Sequence, residues 1–134
     1  LMKEIVKKDL PITKVTIDRI EVPFKASAAV PRLYRLKFRR DIYKDFASLK
    51  TDVEEGDENK SELDIESLEV FENIAYIMAK HADPENVPDS PDDFLEQFNT
   101  FSIYEILPQL IELWGLNTAT QVESKKNIAR LTDR

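Results

Sequence analysis

Residues 12 to 24, "ITKVTIDRIEVPF", alternate between apolar and polar positions for most of their length. Val15 and Ile17, then Ile20, Val22 and Phe24, fall two apart with Asp18 and Arg19 between the sets, which predicts a short β-hairpin. Asp-Arg is a weak turn dipeptide, so a single longer, bulged strand is the alternative. From residue 28 the period becomes helical. Val30, Leu33, Tyr34, Phe38, Ile42, Phe46 and Leu49 share one stripe and predict a helix over 28 to 49, with Ser27 as its cap and Pro31 in its first turn.

Residues 50 to 64, "KTDVEEGDENKSELD", carry few apolar groups and read as a solvated acidic linker. The helical period returns over 65 to 82, where Leu68, Phe71, Ile74, Ala75 and Met78 share a face, and Pro84 follows as a stop. Ser90, Pro91 and the acidic pair Asp92 and Asp93 have the form of a cap, an N1 proline and a charged first turn, opening a helix over 91 to 99. A last helix is predicted over 102 to 114. Ser102 and Glu105 suit a capping box, Phe101 can staple to Ile106, Pro108 should kink or tighten the helix, and Gly115 is placed to end it in a left-handed cap with Leu116 folding back. Beyond that, residues 117 to 134 hold Val122, Ile128 and Leu131 as their sizeable apolar groups, a polar tail suited to folding on a partner.

These elements make a mainly α fold with a small N-terminal β-hairpin, and 134 residues suit a single helical domain. Charge refines the picture. The net charge is −7, which disfavours general attraction to phosphate or anionic lipid. Its distribution is uneven: residues 32 to 45 carry Arg32, Arg35, Lys37, Arg39, Arg40 and Lys44 against Asp41 and Asp45, while residues 52 to 69 carry nine acids against Lys60. Arg35, Arg39 and Arg40 are therefore candidates to face an acidic partner, or the chain's own linker. Trp114 and Leu116 are either core or the edge of a groove for a partner helix.

Candidate chemistry is thin. The chain has no cysteine, so disulfides, thiolate metal sites and cysteine nucleophiles are excluded. His81, the one histidine, reads as a helix C-terminal residue favoured by the dipole rather than a metal ligand or base. Placing Gly56 at the sixth position of a calcium loop puts Thr51, Val53 and Glu55 at the first, third and fifth, which does not fit. No phosphate-binding glycine loop or nucleophile motif occurs, so neither an enzyme nor a cofactor is expected. "RLYRLKFRR", residues 32 to 40, interleaves five basic residues with Tyr34 and Phe38, a composition that suits nucleic acid, although both aromatics lie on the apolar stripe. Neither a membrane span nor a secretory leader is expected, because the apolar runs are short.

The runs "FKASAAVPRLYRLKFRRDIYKDF", "LEVFENIAYIMAKHADP" and "DDFLEQFNTFSIYEILPQLIELWGLNTATQVESKKN" resemble, in that order, the tail assembly chaperones of long-tailed phages and prophages of Gram-positive bacteria, over about residues 14 to 127. The resemblance implies a cytoplasmic protein absent from the mature virion. It would bind the tape measure protein and recruit tail tube protein around it, in many copies, which makes self-association unsurprising. It also implies a longer frameshifted product in many members, and Lys125-Lys126-Asn127 can be encoded by the slippery heptamer A AAA AAC. The alternatives are a basic-helix nucleic-acid-binding regulator and a structural head-tail component of the virion.

Overall fold

Alternation in the first strands is resolved as a hairpin. The computed structural model describes residues 12–55 and 65–115. Strands β1 (Ile12–Ile17) and β2 (Ile20–Lys25) pair antiparallel, with Val15 opposite Val22 and Ile17 opposite Ile20. The loop is the two residues Asp18 and Arg19, at φ 53° and 70°, the left-handed values that a tight hairpin connection demands and that glycine or asparagine normally supplies. Asp18 has a second task, since its carboxylate accepts a hydrogen bond from the Asn99 backbone N–H at 2.9 Å and ties the hairpin tip to a segment 81 positions later in the chain. Val15, Ile17, Val22 and Phe24 are buried, whereas Ile20 at the tip is largely open.

The apolar stripe from Val30 to Leu49 is carried by two helices rather than one: α1 (Val30–Phe38) and α2 (Ile42–Glu55). Arg39 ends α1 in the left-handed region at φ 59°, its N–H returning to the Arg35 carbonyl at 2.8 Å. Asp41 then starts α2, its carboxylate accepting from the Tyr43 N–H at 2.9 Å and its carbonyl from the Asp45 N–H at 3.1 Å. Tyr34, Ile42, Phe46 and Leu49 remain buried across the break, because both helices turn the same stripe inward. Ser27 is not the cap of α1. The cap is Ala29, and Ser27 Oγ instead accepts from the Ala29 N–H at 3.2 Å.

Helix α3 (Ile65–Ala82) is the centre of the fold, packed against β2, α1, α2 and α4 (Pro91–Leu95). Every residue from Ile74 to Ala79 is buried, so its second half is apolar on all sides rather than on one face. Leu68, expected on the buried face, is exposed. Ser90 caps α4 as its sequence predicts, accepting from the Asp93 N–H at 3.2 Å, but the helix ends at Leu95 and a turn completes the run predicted to reach 99.

A fifth helix, α5, spans 103–115 and buries Ile103, Ile106, Leu107, Leu110, Leu113 and Trp114. Its start is held by the Ser102 carbonyl, which accepts from Glu105 N–H at 3.2 Å and Ile106 N–H at 3.0 Å. Among the described residues no side-chain capping box joins Ser102 to Glu105. Phe101 packs its ring within 5.4–5.8 Å of Phe71, Phe94 and Phe98, an aromatic cluster at the start of the helix. The helix continues through Pro108, which lies on the exposed side. Gly115 is helical with no positive φ, so the predicted left-handed stop at the Trp-Gly seam is not the conformation found. Of the predicted acidic linker, residues 50–55 belong to α2 and residues 56–64 lie outside the described residues, as do Leu116 and the predicted tail over 117–134.

Candidate partner-binding surfaces

The basic run beginning at Arg32 divides by where each side chain lands. Arg40 is turned inward by the break between α1 and α2: its Nε donates to Asp45 Oδ2 at 2.6 Å and its Nη2 to Asp45 Oδ1 at 2.9 Å, with Glu66 Oε1 at 3.4 Å. The Tyr34 hydroxyl donates to the same Asp45 Oδ2 at 2.8 Å. Asp45 is buried and accepts all three short bonds, which is why a carboxylate is tolerated in the core. The Arg40 hydrogen bond, with help from Tyr34, holds the Asp45 carboxyl below the usual carboxylate range against the opposing effect of burial. Burial, then the Asp45 hydrogen bond and charge, push the Tyr34 phenol well above its ordinary value. Arg40, named from sequence as a partner-facing residue, is thus committed to an internal contact.

Arg35 and Arg39 are exposed, and neither has an ion-pair partner among the described residues. Arg32 and Arg35, three apart, share one stripe along the outside of α1, and Arg39 follows at its left-handed end. Beside it runs a second stripe that the apolar pattern did not reveal: Leu33 is 37% exposed and Leu36 50%. Leu33 counts as core by sequence spacing, yet sits at the margin of the buried stripe. Leu36 falls off that stripe altogether, and an off-stripe leucine on an amphipathic helix was the available signal.

These leucines form one wall of an open groove of about 590 Å³ between α1 and the end of α3, completed by Tyr76, Ile77, His81 and Pro84. The cations at its ends are anchored by the protein itself. Lys37 Nζ donates to the Asp89 carbonyl at 3.1 Å and lies 5.6 Å from the centre of the Tyr76 ring. Lys80 Nζ donates to the carbonyls of Pro84 and Val87 and to Asp89 Oδ1, at 2.9, 2.7 and 2.9 Å, stitching the loop after α3 onto the helix. Tyr76 adds a bond from its hydroxyl to the Pro88 carbonyl at 2.9 Å.

His81 sits in the last turn of α3, as expected, but burial governs it. Its Nε2 lies 2.7 Å from Ser27 Oγ, which joins the end of α3 to the hairpin–α1 connection. Burial, and then the Lys25 charge, pull its pKa below the ordinary value, so the neutral ring is favoured.

Trp114 packs against α2. It is buried, its ring stacked on Phe46 at 5.5 Å and tilted against Tyr43 at 5.4 Å. It also lines a second open groove of about 470 Å³ with Tyr43, Phe46, Ala47, Lys50 and Ile111. Both sequence readings of Trp114, core residue and groove edge, therefore describe one ring. A third groove, of about 570 Å³, opens between α3 and α4 beside the exposed Ile65 and Leu68. Glu72 lines it, and burial followed by the nearby Glu69 and Asp92 raises that carboxyl's pKa.

No helix among the described residues is long and apolar enough to cross a membrane, and no group of three or more His, Asp or Glu side chains among them could hold a metal ion. No family model matches the chain, and no curated protein or solved structure matches it either.

Proposed function

We propose that the protein is a tail assembly chaperone of a long-tailed phage or prophage. It binds the tape measure protein in the host cytoplasm, helps recruit tail tube subunits, and leaves before the virion is complete. The observation that carries this reading is the outer face of α1, where exposed leucines adjoin arginines that have no ion-pair partner among the described residues, on a chain of net charge −7. A face of that kind suits an amphipathic helical partner, and the remaining net charge keeps the complex soluble. The resemblance of the sequence to tail assembly chaperones supplies the partner's identity.

Co-expression with the tape measure protein from the same genome tests the proposal. The expected result is a tape measure protein that becomes soluble and copurifies. A tape measure protein that stays insoluble and unbound beside folded chaperone would overturn it. The arginine stripe also favours a second reading, a nucleic-acid-binding regulator, for which salt-sensitive retention of duplex DNA or RNA by the purified protein is the required result.

A further inference from the structure

The groove beside α1 has a definite polarity. Its walls are mainly apolar, from Leu33 and Leu36 on one side to Ile77 and Pro84 on the other; His81 also lines it, and at its end Lys80 pairs with the Asp89 carboxylate while Lys37 donates to the Asp89 carbonyl. Outside the leucines lie Arg32, Arg35 and Arg39, all exposed and without ion-pair partners among the described residues. From Arg32 to Arg39 the arginines span about 10 Å, and Leu33 and Leu36 lie about one turn apart between them, enough for about two turns of a partner helix.

We infer that this groove is a docking site for an acidic amphipathic helix, which lays an apolar stripe between Leu36 and Ile77 and turns carboxylates toward Arg32, Arg35 and Arg39. The charge complementarity fixes the partner's sign. Its shape requires large apolar side chains at helical spacing, which separates this occupant from two others. Residues 56 to 64 of the same chain are acidic, but Leu63 is their single large apolar group, too little to fill the groove. A nucleic acid would satisfy the arginines and leave both leucines in water. The inference names a face and a partner chemistry; it rests on the chaperone reading only for which protein supplies the helix.

The test uses a fluorescent synthetic helix with leucine along one stripe and glutamate on the other faces, and its twin with lysine in place of glutamate, titrated with the full chain. The glutamate peptide should bind, and binding should weaken with salt. Arg35→Glu with Arg39→Glu should reduce affinity by about tenfold or more, and Leu36→Glu by a similar factor, because one change inverts the charge and the other the apolar contact. Leu36 and both arginines are exposed, so an unchanged urea midpoint shows that each variant is folded. Equal binding of the lysine twin, or no binding of either peptide, would overturn the inference. Duplex DNA that binds through the same arginines and is indifferent to Leu36→Glu would reassign the face to nucleic acid. Peptide binding that emerges only after Asp57, Glu58, Glu62 and Asp64 are neutralised would reassign the groove to the chain's own acidic segment. Peptide binding without tape measure copurification would sink the chaperone reading and leave the groove assignment standing, and the converse result would do the reverse.

Discussion

The two sides of α1 both meet arginine and do opposite things with it. On the inner side Val30 and Tyr34 are buried, and the Tyr34 hydroxyl meets Asp45, which Arg40 neutralises from the other side. On the outer side Leu33 and Leu36 are open and three arginines reach into solvent. Leucine and arginine are thus surplus to the fold in one place while tyrosine, arginine and aspartate complete it in another. The difference lies in desolvation: a charge that is both buried and matched is part of the architecture, whereas an unmatched charge beside open apolar surface is available to another molecule.

The largest effect expected within this contrast is that of Tyr34→Ala. It removes a fully buried ring and leaves Asp45 short of a donor, for a loss of about 4 kcal/mol in urea denaturation. A loss under 1 kcal/mol would mean that the inner side is not core. Asp45→Ala should cost about 2 kcal/mol, less than a fully enclosed ion pair, because Arg40 is 44% exposed and regains water. The Asp45 contribution should be complete above its ordinary pKa of 3.8 and fade as pH falls below it toward the depressed folded value.

His81 acts in the same direction at higher pH. Its folded pKa is lowered, so its contribution is complete above the ordinary 6.5 and is lost as pH falls from there toward the folded value. The urea midpoint should therefore decline between about pH 7 and pH 5, and His81→Gln should flatten that decline. An unchanged slope in the variant would place the responsible group elsewhere.

Arg39→Gly should stabilise by about 1 kcal/mol, since a left-handed arginine carries a steric cost that glycine avoids. Smallest of all, Leu36→Ser should shift stability by less than about 0.5 kcal/mol, as expected for a half-exposed side chain away from core contacts. A large loss there would mean that the outer leucines are structural, and the contrast between the two sides would fail.

How far the sequence spoke for itself depended on whether the deciding interaction was local. The hairpin followed from alternation, and the start of α4 from Ser90 and Pro91, because each signal and its effect lie within a few residues. The break at Arg39 was hidden. Tyr34, Phe38, Ile42 and Phe46 continue a helical spacing straight through it, and no glycine marks the left-handed residue. What makes the break is Asp41 capping α2 together with Asp45 holding Arg40, contacts whose meaning emerges only once both helices are packed. The capping pattern at Ser102 and the glycine after Trp114 were local signals too, yet the Ser102 carbonyl rather than its side chain receives the first N–H groups of α5, and Gly115 is helical. The arginines were legible as exposed charge, but the groove beside them was not, since it is made by α3 and the loop that Lys80 and Tyr76 pin down.

The bond from Asp18 to Asn99 sets an order of events as the chain leaves the ribosome. A two-stranded hairpin has little stability alone, and its buried face waits for α3, more than forty residues further on. Its tip waits longer, for the residue 81 positions later in the chain. The hairpin, made before the helices it packs on, is therefore among the last of the described elements to be fastened. Until then its apolar side, Val15, Ile17, Val22 and Phe24, is uncovered, so the protein must itself pass through the sticky, half-made condition that it is proposed to prevent in its partner.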